Sequence, residues 1–322
     1  MKVLVTGGAG YVGSTLVPLL LQQGHVVRVL DNLVHGGQSL LGVWSHPAFE
    51  LVRGDIRDLT VVRSAVRGFD VVVHLAAIVG DPACARQADL AREVNVDASL
   101  GLIEESRRAH VSRFIFASTC SNYGRMSDAN GYVDETSELK PVSLYAVTKV
   151  AIERAIMTPG KSDGFCPTVL RFATVFGVSP RMRFDLTVNE FTAEMLQRRK
   201  LVVFGEQFWR PYVHVRDAAR AIQCVLDSPP DNVRDEVFNV GSTDQNYRKQ
   251  QLVELIRPFA PDAIVEYVHK DEDPRDYRVS FEKIRTALSF TVSRSVNDGV
   301  SEIVRLMEDG IVADFMDRQY RN

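Results

Sequence analysis

The chain has 322 residues, of which 45% are hydrophobic and 25% are charged, enough for a sizeable core in one large or two modest domains. Its formal net charge is −3 with both signs interspersed, which excludes a basic stripe for nucleic acid or for an anionic membrane surface. The apolar runs are shorter than a membrane span and the cysteines and histidines show no metal-ligand spacing, so we expect a cytoplasmic protein with reduced thiols and no metal site.

The chain opens with a strand, a glycine turn and a helix. Lys2 to Thr6 is a short apolar strand, glycines follow at positions 7, 10 and 13, and an apolar helix is predicted from Ser14 to Gln23. Glycines at this spacing allow a tight turn, close approach of backbone amides to a pyrophosphate, and close packing of the helix on the strand. The helix N-terminus adds positive potential. The expected cofactor contacts here are Gly7, Gly10, Tyr11, Val12 and Gly13.

Acidic residues follow the next two predicted strands. Asp31 ends a strand that begins at His25, at the distance from the glycines where the adenosine ribose of a dinucleotide is expected. Its carboxylate can accept hydrogen bonds from the ribose hydroxyls and would repel a 2′-phosphate, so NAD is favoured over NADP; the alternative is that Asp31 only starts a turn. Asp55 follows a third strand and is a candidate for the adenine amino group. The expected contacts of this part are Asp31, Asn32, Asp55 and Ile56.

Strand and helix continue to alternate, which predicts an α/β fold with a doubly wound parallel sheet. Further strands are predicted at residues 71–77, 113–118 and 168–172, with a helix at 93–110. Ligands of such sheets bind at the carboxyl ends of the strands. The additional cofactor contacts expected there are Leu75, Ala76, Ala77, Asn95 and Ser118.

Tyr145 and Lys149 are the candidate acid and base. They lie four residues apart, so on a helix both side chains project from one face, one turn apart. The pKa of an isolated phenol is about 10, and a nearby ammonium lowers it by favouring the phenolate. Thr119, at the end of a strand, would hold the substrate oxygen. The spacing by itself also fits an ordinary solvated helix face.

Several sequence marks occur together. They are Thr6-Gly7-Gly8-Ala9-Gly10-Tyr11-Val12-Gly13, Asp31, Gly54-Asp55, His74-Leu75-Ala76-Ala77, Thr119 with Tyr123-Gly124, Tyr145-x-x-x-Lys149 and Arg210-x-x-x-His214-Val215-x-Asp217. In combination, from Lys2 to about Phe290, they resemble the extended short-chain dehydrogenase/reductases, specifically the NAD-dependent nucleotide-sugar epimerase/dehydratase family.

The resemblance implies a Rossmann-like NAD-binding domain formed by residues 1–178 and about 212–242. It implies a nucleotide-sugar-binding region formed by about 179–211 and 243–322. A nucleoside diphosphate sugar would be the substrate, NAD would be recycled, and the family is usually homodimeric.

The resemblance also assigns roles to single residues. Tyr145 matches the catalytic tyrosine and Lys149 matches the lysine that binds the nicotinamide ribose. Both are expected to act in catalysis and to contact the cofactor. Thr119 matches the residue that orients the reacting oxygen. Tyr145 would take a proton from a sugar hydroxyl, commonly at C4, while hydride leaves the same carbon. The expected substrate contacts are Thr119, Asn189, Arg210 and Arg275, with Arg181 a further candidate for the diphosphate.

One departure separates the reaction types. The 4,6-dehydratases of the family commonly carry Thr-Asp-Glu where this chain has Thr119-Cys120-Ser121, so no evident base would remove a C5 proton. Epimerisation through a transient keto-sugar is therefore the leading hypothesis. Cys120 is a candidate catalytic residue, because a cysteine near this position acts in some 3,5-epimerases and dehydratases of the family; a small buried thiol is the alternative. A dehydratase or 3,5-type epimerase using Cys120, a keto-sugar reductase and an NAD-sensing protein without catalysis stay open.

Overall fold

The computed structural model describes residues 1–126, 131–157, 164–271 and 275–322, which form twelve β-strands and twelve α-helices. The strands are β1 (Lys2–Thr6), β2 (Val26–Asp31), β3 (Phe49–Arg53), β4 (Val71–His74), β5 (Arg113–Thr119), β6 (Cys166–Phe172), β7 (Thr174–Phe176), β8 (Lys200–Phe204), β9 (Trp209–His214), β10 (Glu236–Val240), β11 (Asn246–Arg248) and β12 (Ile264–Val268). The helices are α1 (Gly13–Gln22), α2 (Leu59–Val66), α3 (Asp81–Arg86), α4 (Ala88–Arg92), α5 (Ser99–Arg108), α6 (Leu144–Ile156), α7 (Thr187–Ala193), α8 (Val215–Asp227), α9 (Pro230–Val233), α10 (Lys249–Ile256), α11 (Glu282–Leu288) and α12 (Val296–Glu308).

Seven strands form one parallel sheet in the order β10-β6-β5-β4-β1-β2-β3. The central strands β1 and β4 are apolar and buried on both faces, as parallel strands covered by helices must be. The chain runs from β1 outward to β3 and returns to β4 beside β1, so the strand order reverses between β1 and β4. Open parallel sheets bind ligands at the carboxyl ends of the strands at such a point. The predicted doubly wound sheet is confirmed.

Apolar helix faces cover the two sides of this sheet. On one side α1 buries Leu16 and Leu20 beside Ala218 and Ile222 of α8. On the other side α2 and α5 bury a separate set of aliphatic side chains, including Val62, Val66, Leu102 and Ile103. Each fully buried aliphatic side chain contributes about 1.5–3 kcal/mol to stability. This packing holds the glycine turn before α1 against the sheet.

The remaining strands belong to two small sheets. β8 pairs in parallel with β12, and β7, β9 and β11 form a three-stranded sheet. A third apolar cluster, with Phe176, Tyr212 and Leu252, packs α7, α10 and α12 against these strands. The expected division into two regions at residues 178, 212 and 242 stays a prediction.

β10 lies at one edge of the large sheet, and a neighbouring segment covers its outer side. The Glu135 carboxylate accepts the backbone N–H of Asn239 at 2.6 Å, and the Asn239 amide donates to the Ser280 carbonyl at 3.2 Å. Val133 forms an isolated parallel bridge with Val279. β10 is therefore paired with β6 on its inner side and bonded at Asn239 on its outer side.

None of the helices in the described ranges is long and apolar enough to span a bilayer. The same ranges hold no group of three or more His, Cys, Asp or Glu side chains suited to a metal ion.

Candidate active site

Helix α6 carries Tyr145 and Lys149 to the carboxyl end of β5. The helix begins after Ser143, whose hydroxyl accepts the N–H of Ala146 at 3.2 Å and so caps the first turn. The Lys149 Nζ lies 5.8 Å from the centroid of the Tyr145 ring and donates to the Ala117 carbonyl at 2.8 Å. The two side chains thus lie one turn apart, as their spacing predicts.

Thr119 ends β5 two residues after Ala117. It is buried, and its Oγ1 accepts the N–H of Ser121 at 3.1 Å, which starts a turn of 3-10 helix. The hydroxyl proton of Thr119 is left for another acceptor, such as a substrate oxygen. The strand end therefore brings Thr119 close to the lysine of the predicted pair.

Burial dominates the protonation of the tyrosine and the lysine. It lowers the pKa of Lys149 to about 8, against the opposing effects of Cys84 and Glu153. It raises the pKa of Tyr145, and Cys84 adds to that shift. In the protein chain by itself the pKa of Tyr145 is therefore raised rather than lowered, because desolvation of the phenolate outweighs the favourable effect expected of a nearby ammonium. A base at Tyr145 needs a further positive charge beside it.

Cys120 lies in the apolar core rather than at the surface of the site. Only 1% of it is exposed, and its thiol donates to the Arg171 carbonyl at 3.2 Å. Burial raises the pKa of the thiol well above its ordinary value, which keeps it protonated. The next residue, Ser121, is half-buried, and its Oγ lies 3.4 Å from the Tyr277 hydroxyl. The geometry favours the packing interpretation of Cys120.

The glycine turn is too tight for side chains. Gly7 has a φ of +73°, and a Cβ there would lie 2.7 Å from the backbone N of Ala76. A Cβ on Gly13 would lie 2.4 Å from the Gly7 carbonyl oxygen, and one on Gly10 would lie 3.2 Å from it. The first two distances are shorter than any real Cβ contact, so the turn requires glycine there. The predicted contacts Leu75, Ala76 and Ala77 follow β4 and are half-buried beside this turn.

Tyr11 and Asn189 connect the glycine turn to the segment that follows β7, at Gly177. The buried Tyr11 hydroxyl donates to the Gly177 carbonyl at 2.5 Å and accepts from the Asn189 amide at 3.2 Å. The Asn189 Oδ1 also accepts the Gly177 N–H at 2.9 Å. Val12 is half-buried and directly precedes α1. A substrate contact of Asn189 stays a prediction, because the described bonds of its amide go to the protein.

Asp31 and Asp55 lie at the ends of β2 and β3. The Asp31 carboxylate accepts the N–H of Ala9 at 3.0 Å and that of Leu33 at 2.8 Å, so it ties the glycine turn to the loop after β2. Asp55 pairs with Arg57 at 2.9 Å, which lowers its pKa to about 2. Asn32 is exposed and donates to Asp55 at 3.3 Å, and Ile56 is buried. Their contacts with a cofactor stay predictions.

Asn95 and Ser118 are buried and bonded to the protein. The Asn95 amide accepts from the Ile78 N–H at 2.8 Å and donates to the Ile78 carbonyl at 2.9 Å and to Thr148 at 3.3 Å. It thus ties the loop after β4 to α6. The Ser118 hydroxyl donates to the Glu153 carboxylate. Both side chains bond to elements that adjoin Lys149, and their expected contacts with a cofactor stay predictions.

Arg181 carries donors that the protein does not use. Only 6% of it is exposed; its Nη2 donates to the Arg321 carbonyl at 3.0 Å, while Nε and Nη1 have no hydrogen-bond partner among the described residues. Its backbone N–H donates at 3.2 Å to Ser14, in the first turn of α1. The backbone bond places residue 181 beside the first turn of α1, and the spare donors make its guanidinium a candidate for a phosphate anion. The glycine turn fits the pyrophosphate of a dinucleotide.

The two predicted diphosphate arginines adjoin one another. Arg210 is buried and donates to the carbonyls of Trp209, at 2.6 Å, and of Arg275. Arg275 pairs through its guanidinium with Asp81, the first residue of α3, at 2.7 Å. The segment that begins at Arg275 is therefore tied both to β9 and to α3. Asp81 is also among the charges that raise the pKa of Tyr145, so this contact lies beside the candidate acid and base.

A cavity of about 520 Å³ lies in the smaller part of the molecule. Its lining includes Thr187, Phe191, Phe204 and Lys249, and none of the predicted site residues. Its volume is that of ordinary small-molecule pockets. Sequence reasoning missed it, since its residues come from α7, β8 and α10 and form no motif.

Comparison with known proteins gives one family. The model of the NAD dependent epimerase/dehydratase family matches residues 3–241. The UDP-glucose 4-epimerase of Corynebacterium glutamicum is 30% identical over 309 residues, 90% of this chain and 91% of that protein. The dTDP-glucose 4,6-dehydratase of Streptomyces niveus is 30% identical over 322 residues, 96% of this chain and 93% of that protein.

A solved structure gives the same result. The UDP-glucose 4-epimerase of Thermus thermophilus, in complex with NAD, matches with a TM-score of 0.82 and 28% identity over 96% of this chain and 99% of that chain. The predicted Rossmann-like fold and the predicted NAD dependence are confirmed together with the resemblance. The chain belongs to the NAD-dependent epimerase/dehydratase family.

Proposed function

We propose that the protein is an NAD-dependent nucleotide-sugar epimerase that inverts a sugar carbinol through a transient keto-sugar. The observation that carries the proposal is the Tyr145 and Lys149 pair of α6, held at the end of β5 by the 2.8 Å bond from Lys149 to Ala117. The names of the two relatives given above, which specify UDP-glucose and dTDP-glucose, support a nucleoside diphosphate sugar as the substrate.

Tyr145, Thr119 and Lys149 each have a separate role in the proposed reaction. The Tyr145 phenolate takes the proton of the sugar hydroxyl, commonly at C4, and returns it after the keto-sugar has presented its other face. The Thr119 hydroxyl holds the reacting oxygen. With a pKa of about 8, Lys149 is charged at neutral pH, so it can donate to ribose hydroxyls and favour the phenolate. NAD, when bound, supplies the hydride acceptor and donor for the sugar carbon and the positive charge that Tyr145 needs.

We infer which residues would hold the cofactor from three features of the structure. The turn from Gly7 to Gly13 and the N-terminus of α1 offer backbone N–H groups to a pyrophosphate. Arg181 is a further candidate for this anion, because its backbone N–H is bonded to Ser14 of α1 and its guanidinium keeps spare donors. Asp31 lies where the adenosine ribose is expected and still has acceptor capacity beside its two backbone bonds. A carboxylate there disfavours a 2′-phosphate, so net reduction by NADPH has less support.

The side chains beside Thr119 support epimerisation over dehydration. Elimination of water from a keto-sugar needs a base for the C5 proton and an acid for the leaving hydroxyl. Positions 120 and 121 hold a buried, protonated thiol and a serine in place of two carboxyls. Inversion by proton and hydride transfer at one carbon needs neither group.

The test is incubation of the protein and NAD with a panel of nucleoside diphosphate sugars, led by UDP-glucose and dTDP-glucose, in deuterated water. Inversion without carbon-bound deuterium, read by NMR, is expected. Deuterium at C3 or C5 would indicate enolisation and return Cys120 to the mechanism, and loss of water would indicate a dehydratase. An NAD sensor would bind NAD and leave every sugar unchanged.

Tyr145→Phe tests the acid and base within an active protein. It removes only the hydroxyl, so we expect NAD binding to be retained and turnover to fall by about 10²–10⁴-fold, the usual contribution of one acid-base group. Unchanged turnover would contradict the assignment. The homodimer and the cytoplasmic location expected from the sequence stay predictions, which sedimentation and cell fractionation would check.

A further inference from the structure

Glu153 lies on α6 one turn beyond Lys149 and two turns beyond Tyr145. Its side chain is 5% exposed, and the proposed reaction gives it no role. An ionised carboxylate is unfavourable in the interior unless charges and hydrogen bonds compensate it. The structure supplies that compensation from two neighbouring strands of the sheet.

The partners of Glu153 come from the end of β5 and from β6. Arg171 of β6 binds it as a fork, with Nη2 at 2.7 Å from Oε2 and Nε at 3.1 Å from each oxygen. Ser118 of β5 donates its hydroxyl proton to the same carboxylate, and the Asn122 amide donates to it at 2.8 Å. The carboxylate thus joins α6 to two strands at once.

The bonds continue behind the site. The other arm of Arg171 donates to the Tyr123 hydroxyl at 3.0 Å, and that hydroxyl donates to the Asn239 side chain at 2.7 Å. Arg171 itself is buried, with 6% of its side chain exposed. The Arg171 guanidinium is therefore held by the Glu153 carboxylate on one side and by the Tyr123 hydroxyl on the other. Because the guanidinium cannot turn freely, the position of the Glu153 carboxylate is fixed as well.

The same contacts fix the register of α6 against β5. Three successive residues at the end of β5 are bonded: the Ala117 carbonyl to Lys149, the Ser118 hydroxyl to Glu153, and the Thr119 hydroxyl to the following turn. Two of these bonds come from successive turns of α6. A shift of the helix along the strand would break both bonds and move Tyr145 relative to Thr119.

We propose that Glu153 is a positioning residue of the reaction: fixed by Arg171 and bonded to Ser118, it holds α6 at the register that places Tyr145 against the oxygen held by Thr119. The inference rests on the proposed function, because it concerns the proton transfer at Tyr145. Placement errors of about 1 Å at a reacting centre lower rates by about 10²-fold.

Glu153 also acts on Lys149 through its charge. The titratable groups that face Lys149 are Tyr145 and Glu153 on its own helix, Cys84 of α3 and His74 of β4. At neutral pH His74 and Cys84 are uncharged, since their pKa values are about 3 and about 11, and burial keeps Tyr145 protonated in the chain alone. Of these four groups, Glu153 is the one whose negative charge favours the Lys149 ammonium.

The decisive variant is Glu153→Gln, with Glu105→Gln as its matched control. Glu105 of α5 has a side chain that is 4% exposed and bound by Arg63 at 2.9 Å and by Arg108 at 2.8 Å, neither of which is a predicted site residue. Both substitutions keep the side-chain shape and remove an arginine-bound carboxylate charge, so both lower the free energy of unfolding. We expect only Glu153→Gln to lower kcat, by about 10–100-fold per folded molecule, with KM within about twofold of wild type.

The pH profile separates positioning from a general loss of stability. Without the Glu153 charge the pKa of Lys149 falls further, so the alkaline limb of kcat/KM moves to lower pH in Glu153→Gln and stays in place in Glu105→Gln. If Glu153→Gln does not fold, Ser118→Ala replaces it, since that change keeps the ion pair and removes the bond to β5; a smaller fall in kcat is expected.

The outcomes distinguish the two proposals. A wild-type protein that converts no nucleoside diphosphate sugar would refute the proposed function. An active wild type with an unchanged kcat and pH profile in Glu153→Gln, or in Ser118→Ala where the first variant does not fold, would overturn the positioning role. An equal loss of kcat in Glu105→Gln would overturn it as well, because the effect would then follow stability alone.

Discussion

Arg181 lowers the stability of the NAD-free chain and is at the same time a candidate contact for the cofactor. Burial and the neighbouring Arg183 lower its pKa to about 10, so it stays charged at neutral pH with two donors unbonded within the described structure. A buried donor without a partner costs about 1–3 kcal/mol, and more when charged. The guanidinium is therefore a destabilising element that a bound phosphate would satisfy.

We predict that Arg181→Met raises the free energy of unfolding of the NAD-free chain by about 1–3 kcal/mol, because the unsatisfied donors are removed. The same change is expected to weaken NAD binding by about 10–100-fold, the value of one or two charge-assisted hydrogen bonds. Urea unfolding and titration calorimetry with NAD measure the two effects. Arg305→Met, at an 84% exposed side chain, is the control. Unchanged NAD affinity in Arg181→Met would contradict the role.

The lowered pKa of Lys149 leads us to predict a loss of activity at alkaline pH. Because its pKa in the folded chain is about 8, the ammonium is lost as the pH rises through that value, and kcat/KM is expected to fall above about pH 8. A pH–rate profile that stays level to pH 10 would contradict this.

Whereas kcat/KM is expected to fall above about pH 8, the free energy of unfolding should rise over the same pH range. Between about pH 8 and the ordinary lysine value of 10.5, the unfolded chain keeps a proton on this side chain that the folded chain has released. The contribution of Lys149 to the free energy of unfolding therefore rises with pH there. Comparison of the wild type with Lys149→Met by urea unfolding at several pH values measures this contribution.

The predictable part of the site is the part set by local geometry. The four-residue spacing places Tyr145 and Lys149 on one helix face whatever surrounds them, and the glycine spacing carries its own backbone requirement. The acceptor of Lys149 is a backbone carbonyl of β5, 32 residues earlier in the chain, for which no side-chain pattern exists. The raised pKa values of Tyr145 and Cys120 come from burial in the assembled fold, so no local pattern indicates them either.

At the scale of elements, the turn between β1 and α1 depends on the absence of one side chain. We predict that Gly13→Ala lowers the free energy of unfolding by about 1–3 kcal/mol, as overpacking of a close backbone contact does. NAD binding should weaken as well, because Gly7 and α1 must move apart. The Cβ would lie 2.4 Å from the Gly7 carbonyl oxygen. Urea unfolding and NAD titration check both effects.

Gly42→Ala is the matched control for that change. Gly42 lies in the 3-10 helix Gln38–Val43 with no atom within 4 Å of an added Cβ. Alanine there should be neutral or slightly stabilising, by about 0.4–1 kcal/mol. Equal effects of the two substitutions would refute the steric argument.

The sequence predicted strands correctly where a short apolar run pairs with its neighbours inside the parallel sheet. β1 has the predicted bounds, since it is a short apolar run at the centre of the parallel sheet. β12 was missed because its residues are largely exposed and its partner, β8, lies about 60 residues earlier in sequence. The helix predicted at 93–110 contains π-helical turns over Glu93–Ala98 before α5. Its side-chain periodicity gave no sign of that change.

At the scale of the whole molecule, the pair between Arg275 and Asp81 joins the C-terminal part of the chain to α3. Arg275 is 41% exposed at its side chain, so its replacement should leave the fold intact. We predict that Arg275→Met weakens binding of UDP, the diphosphate part of a UDP-sugar, by about tenfold and leaves NAD affinity unchanged. Titration calorimetry with UDP and with NAD measures both. Arg285→Met, at an exposed side chain paired with Glu282, should bind UDP normally.

The contact between Glu135 and β10 has a consequence for how copies of this protein meet in solution. A parallel sheet ends in a row of unused backbone donors, which can recruit a strand from another molecule and start aggregation. On β10 the donor of Asn239 is already occupied by a carboxylate of the same chain. An approaching strand would have to displace a negative charge and break that bond. At Asn239 this carboxylate therefore opposes the addition of a further strand.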